Sequence, residues 1–129
     1  MSGCDTHREK VEEAAKRKGC HIVEPVDNEL FIDIDDQASL TMFHNQIGIV
    51  CAIFDKQGVT SWRFLPSPSG LPDHCHIIVS LPINPSSLMR IALQALLGSD
   101  RLHELLSFGA LREGAEMPTL RFEKNREGA

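Results

Sequence analysis

The amino-acid sequence predicts an α+β domain, and three observations predict it. Two short stretches, Leu30-Phe31-Ile32-Asp33-Ile34-Asp35 and His74-Cys75-His76-Ile77-Ile78-Val79, alternate as half-buried strands do. Elsewhere apolar residues recur at three- and four-residue steps, the period of a helix with one buried face. Proline- and glycine-rich turns separate these segments. A chain of 129 residues suits one domain (1–129), with a core over 20–123, an N-terminal helix within 1–19 and a flexible tail at 124–129.

Composition narrows the function classes. Hydrophobic residues make up 42% of the chain and charged residues 24%, as in an ordinary globular protein. No apolar run approaches the roughly 20 residues of a membrane span. The start, Met1-Ser2-Gly3-Cys4-Asp5, has no basic-then-apolar signal pattern, so a cytoplasmic location is expected. The net charge of −5 argues against a basic nucleic-acid clamp. It leaves room for a site where metal ions neutralise carboxylates before a phosphate approaches. The four cysteines (Cys4, Cys20, Cys51, Cys75) are scattered, and Cys51 and Cys75 sit among apolar residues as buried thiols would.

In chain order, residues 5–18 read as a surface helix. Asp5 or Thr6 can cap it, Val11, Ala14 and Ala15 form its thin apolar stripe, and Gly19 can end it. Residues 20–24 suit a short strand stopped by Pro25. The first key strand, about 29–35, directs Leu30, Ile32 and Ile34 to a core and Phe31, Asp33 and Asp35 away from it. Asp36 can cap a helix running to about 55, whose buried face is Leu40, Phe43, Ile47, Val50, Cys51 and Phe54. A second strand, 59–65, places Trp62 and Phe64 on one face and Ser61 and Arg63 on the other.

The turn-rich loop from Pro66 to Asp73 delivers the chain to the second key strand, 74–81. There Cys75, Ile77 and Val79 face the core, while His74 and His76 face away. Asn84 and Pro85 read as the cap and first position of a helix with Leu88, Ile91, Ala92, Ala95 and Leu96 on its apolar face, ending at Gly98. Ser99-Asp100 reads as the cap of a shorter helix, 100–108, whose Leu102, Leu105 and Leu106 are expected by default to pack in the core, with a dimer or partner surface as the alternative. A last strand, 118–123, turns Leu120 and Phe122 inward.

From residue 29 to 123 these elements spell β-α-β-β-α-β, with an extra short helix before the last strand: the ferredoxin-like pattern shared with RNA-recognition domains, an antiparallel sheet with helices on one face. In that arrangement the two key strands are neighbours. Asp33 and Asp35 would then lie beside His74 and His76 on a face with no helices, which Arg63, Arg121 and Glu123 can share. Two aspartates at i and i+2 on a strand project the same way and can hold Mg²⁺ or Mn²⁺. A histidine opposite can bind phosphate, ligate a metal or move a proton. Ser67-Pro68-Ser69-Gly70 offers hydroxyls and backbone amides, as phosphate-binding loops do. His7, His21, His44 and His103 have no patterned carboxylate or cysteine partner and read as surface or packing residues.

Phe31-Ile-Asp-Ile-Asp35, the Ser67…His76 segment and Leu97-Gly-Ser-Asp-Arg101 together resemble the motifs of archaeo-eukaryotic-type primases and primase-polymerases, in particular small phage and plasmid members. The resemblance covers residues 29–101 and implies a nucleotidyltransferase acting in nucleic-acid replication, with nucleotides and DNA or RNA as partners. Under it Asp33 and Asp35 hold the metals, His76 contacts the nucleotide triphosphate, and Ser67 and Ser69 lie in the phosphate-facing loop. The third carboxylate is Asp100 or Glu123. A chain of 129 residues would omit most of the family's template-binding flank, which keeps a non-catalytic reading in view: an accessory factor that binds nucleic acid, a replication protein or a host defence complex. A weaker likeness joins Leu71-Pro-Asp-His-Cys-His-Ile-Ile-Val79 to HUH nucleases, in which His74 and His76 would hold the metal. Those enzymes need a tyrosine nucleophile, and this chain has no tyrosine.

Overall fold

The computed structural model describes residues 6–125. The elements are α1 (Thr6–Arg17), β1 (Cys20–Val23), β2 (Glu29–Ile34), α2 (Gln37–Phe54), β3 (Ser61–Pro66), β4 (Cys75–Ser80), α3 (Ser87–Leu96), α4 (Arg101–Arg112) and β5 (Arg121–Lys124). The class is α+β, as the sequence predicts. The expected Asp5 cap and tail residues 126–129 lie outside the described residues.

The core sheet is antiparallel with order β2-β4-β3. The two key strands are therefore neighbours, with Asp33 opposite His76 and Ile34 opposite Cys75. Leu30, Ile32, Ile34, Ile77 and Val79 point to one face, where Phe43, Ile47, Val50 and Phe54 of α2 close the core. Phe43 stands edge-on to Trp62 and Phe64 of β3, which remain half exposed at the sheet edge. Asp36 starts α2 by accepting from the Ser39 amide at 2.8 Å, which satisfies one of the free amides of the first turn.

The fourth strand of a ferredoxin-like sheet would pair with β2, and here it does not. β5 pairs instead with β1 as a separate two-stranded sheet. Side chains take its place. The edge-facing residues of β2 are Glu29, Phe31 and Asp33, and each is satisfied from α3 or the turn after it. Arg90 Nε donates to the Glu29 carbonyl (2.9 Å), the Phe31 amide donates to Gln94 Oε1 (2.8 Å) and the Asp33 amide donates to Ser99 Oγ (3.0 Å). The Asp100 amide completes the row on the Asp33 carbonyl at 2.8 Å. Buried backbone groups must be paired, and these bonds occupy four backbone groups that a neighbouring strand would otherwise need.

That substitution turns α3 relative to the expected face. Arg90 and Gln94 are buried, while Leu88, Ala92 and Ala95 are exposed. The cap is Ser86, not Asn84: its hydroxyl accepts from the Met89 amide at 3.1 Å. Likewise α4 runs through Gly109 to Arg112, and Leu102, Leu105 and Leu106, expected in the core, are 60–65% exposed. Gly98 links the two helices at φ +92°, and a Cβ there would stand 2.6 Å from the Ser39 carbonyl. Only glycine fits both the backbone and the approach.

The second sheet face is not bare, as the sequence reading has it. α1, α4 and the β1–β5 sheet stand against it and leave a cleft of about 810 Å³. Phe31, expected to point into solvent, is buried on this face. No described helix is long and apolar enough to cross a membrane.

Candidate metal centre

The strand period places Asp33 and Asp35 on the cleft side of β2, and antiparallel pairing brings the β4 histidines beside them. His76 Nε2 lies 3.7 Å from Asp33 Oδ1, and His74 Nδ1 lies 3.5 Å from Asp35 Oδ1. Asp100, carried in by the turn between α3 and α4, completes a carboxylate triad. One oxygen from each of Asp33, Asp35 and Asp100 lies within 4.8 Å of the others. Asp100 Oδ2 also caps α4 through the His103 amide at 3.1 Å.

The electrostatics follow from this crowding. Burial, then the charges of Asp35 and Asp100, push the Asp33 carboxyl up to about 6. Burial and Asp100 also raise Asp35. His76 is pushed down to about 4, first by burial and then by its neighbours Arg121, His103 and His74. It is therefore a neutral imidazole near pH 7. His76 is only 6% exposed and makes no hydrogen bond among the described residues. Its Nε2 faces the acidic cluster, with Asp33 Oδ1 3.7 Å away.

The structure gathers most of the sequence-predicted site residues. Asp33, Asp35, His74, His76, Ser67, Ser69 and Arg121 all line the cleft. Ser67 and Ser69 hold their own turn: the two hydroxyls are 3.1 Å apart and accept from the amides of Ser69 and Leu71. Two expected residues are elsewhere. Arg63 sits on the predicted face but further along β3, 3.6 Å from Glu29 and away from the cleft. Glu123 is exposed beside Arg121 and His21, so Asp100, not Glu123, joins the aspartate pair. Cys75 packs against the core as read from the sequence, and burial raises its thiol.

Four residues of this region were not legible as site residues: Gln94, Ser99, His103 and Glu104. Glu104 is buried and accepts three bonds, from Gln94 Nε2 (2.8 Å), Ser99 Oγ (2.7 Å) and His103 Nδ1 (3.0 Å). His103 lines the cleft with its ring edge-on to Phe31. Its Nε2 meets the Leu120 carbonyl at 3.3 Å. Both partners are acceptors, so both ring nitrogens must donate, which makes His103 an imidazolium. Burial works against that charge, but the hydrogen bond and charge of Glu104 outweigh it and raise the group. The one sequence signal was Arg90 and Gln94, two polar residues four apart on an otherwise apolar helix.

As a donor set, three carboxylates with a neutral imidazole suit a hard divalent cation such as Mg²⁺ or Mn²⁺. The raised Asp33 fits that reading, because a cation would offset the burial and the neighbouring carboxylates that push the group up. Comparison of the chain with protein-family models, with curated proteins and with solved structures found no match.

Proposed function

We propose that this domain binds Mg²⁺ or Mn²⁺ with a nucleotide in the cleft, and acts as a small primase-polymerase-like nucleotidyltransferase in cytoplasmic nucleic-acid replication. The observation that carries the reading is the Asp33–Asp35–Asp100 triad facing His76, a buried ring that makes no hydrogen bond among the described residues. Asp33, Asp35 and Asp100 would hold the ion, which when bound neutralises phosphate oxygens during phosphoryl transfer. The protein's own part is positioning and charge. His76, neutral near pH 7, can ligate or offer an N–H to a phosphate oxygen. Arg121, on the opposite wall, supplies a positive charge, and Ser67 and Ser69 shape the entrance.

The test is a melting curve of the wild type and of Asp33→Asn/Asp35→Asn, each with Mn²⁺ and a nucleoside triphosphate. Ligand binding to the native state raises the midpoint by mass action. The expected result is a rise in the wild type that vanishes in the double variant. No rise in the wild type defeats the reading. One observation favours a second reading, a non-catalytic accessory protein: the exposed Leu102, Leu105 and Leu106 of α4 form an apolar stripe of the kind used to bind partners. That reading expects no effect of the metal and nucleotide on melting.

A further inference from the structure

The buried network behind β2 does more than complete a sheet edge. Asp33 is held through both of its backbone groups, its amide on Ser99 Oγ and its carbonyl on the Asp100 amide. Ser99 and Asp100 are consecutive, so what orients Ser99 also places the third carboxylate of the triad. A serine hydroxyl rotates freely and can present either its hydrogen or a lone pair. Here Glu104 Oε2 takes the hydrogen at 2.7 Å, which leaves a lone pair for the Asp33 amide. The same carboxylate settles Gln94: Glu104 Oε1 accepts from its Nε2 at 2.8 Å, so its Oε1 faces the Phe31 amide. One buried acid therefore fixes the polarity of two of the three side chains that replace a strand along β2.

We propose that Glu104, acting through Ser99 and Gln94, is the positioning residue that sets the spacing of Asp33, Asp35 and Asp100 for a divalent cation. The inference rests on the metal-site reading and adds to it a residue that touches none of the three carboxylates' ligand oxygens. Partners that orient metal ligands from behind typically change affinity by about 10- to 100-fold when removed. Glu104→Gln puts an NH₂ group where donors already converge, and Ser99→Ala removes the acceptor of the Asp33 amide.

The experiment is calorimetric titration of the full chain with Mn²⁺ alone. Four variants accompany the wild type: Ser99→Ala, Glu104→Gln, the exchange Gln94→Glu/Glu104→Gln, and Val50→Ala as a control. Val50 is on the buried face of α2, so its truncation lowers the melting midpoint without touching the network. The expected result is Mn²⁺ binding weakened by about tenfold or more in Ser99→Ala and Glu104→Gln, with Val50→Ala at wild-type affinity. The exchange keeps every donor–acceptor pair, with the 94–104 bond reversed and the longer 94–Thr119 bond reversed by rotation of the threonine hydroxyl, and should recover most of the affinity. Wild-type affinity in Ser99→Ala, or no recovery in the exchange, overturns the proposal. If Glu104→Gln does not fold, Ser99→Ala and the exchange still decide it. A wild type that does not bind Mn²⁺ defeats the metal-site reading itself, a result distinct from a variant that binds as well as wild type.

Discussion

Asp33 and Asp100, 67 positions apart in the chain, are joined main chain to main chain: the Asp100 amide donates to the Asp33 carbonyl at 2.8 Å. That bond occupies the edge of β2 where a fourth strand would pair, and it brings a third carboxylate to a pair already carried by the strand. The fold detail and the candidate chemistry have one cause.

The first prediction concerns stability without metal. The Asp33 carboxyl titrates near 6 in the folded protein against 3.8 as an ordinary aspartate. A raised value means that its contribution is full below pH 3.8 and lost as pH rises through 6. His76 is lowered from 6.5 to about 4, so its contribution is present above 6.5 and lost as pH falls through 4. Each is worth about 3 kcal/mol, at about 1.4 kcal/mol per unit. Between pH 4 and 6.5 the two slopes oppose and nearly cancel. Asp33→Asn removes one, so urea unfolding in EDTA should show the variant gaining stability with pH, by up to about 3 kcal/mol, where the wild type stays level. A wild type and variant with parallel profiles would contradict this assignment.

Cation binding should be linked to the same protonation. Near pH 6 about half of the Asp33 carboxyls hold a proton that an arriving cation must displace. Mn²⁺ affinity should fall as pH is lowered from 7.5 to 5.5, and binding near pH 6 should release protons. Titrations in two buffers of different ionisation enthalpy measure that release. A pH-independent affinity would place the ion elsewhere.

The third prediction separates core leucines from exposed ones. Leu30 is fully buried against α2, and its truncation to alanine should cost about 2–5 kcal/mol. Leu105 is 65% exposed, and Leu105→Ala should change stability by no more than about 0.5 kcal/mol. Denaturant midpoints of the two variants distinguish this arrangement from one in which α4 packs its leucines inward.

Gly98→Ala should be costly for its size. A side chain there meets both the positive φ and the Ser39 carbonyl. The loss should exceed about 1 kcal/mol, and it should weaken Mn²⁺ binding as well, because Gly98 leads directly into Ser99 and Asp100. A neutral substitution would mean that the turn can move without consequence for the site.

Much of this arrangement is decided locally. The alternation of residues 30–35 and 74–79 assigns Asp33, Asp35, His74 and His76 to one side of their strands whatever surrounds them, because successive side chains on a strand point to opposite faces. Asp36 caps α2 three residues from its partner, and the α2 stripe of Phe43, Ile47, Val50 and Phe54 lies where a 3.6-residue period places it. Short-range geometry is written in short-range sequence.

What covers a face, and what closes an edge, is not. Gln94 and Ser99 take the β2 amides from 63 and 66 positions away, and Glu104 sets their polarity from a third element. A pattern read along one helix sees Gln94 only as a polar interruption and Leu105 as a core residue. Their burial is reversed because α3 turns Gln94, and α4 turns Glu104, toward an edge that no strand covers. The sequence by itself determined the class, the order of elements and the side on which the aspartates and histidines stand. Only the tertiary structure decided that Asp100 joins them, that Arg63 and Glu123 do not, and that the face is a cleft. Those outcomes depend on which distant backbone groups find partners, and hydrogen-bond satisfaction is a property of the packed chain as a whole.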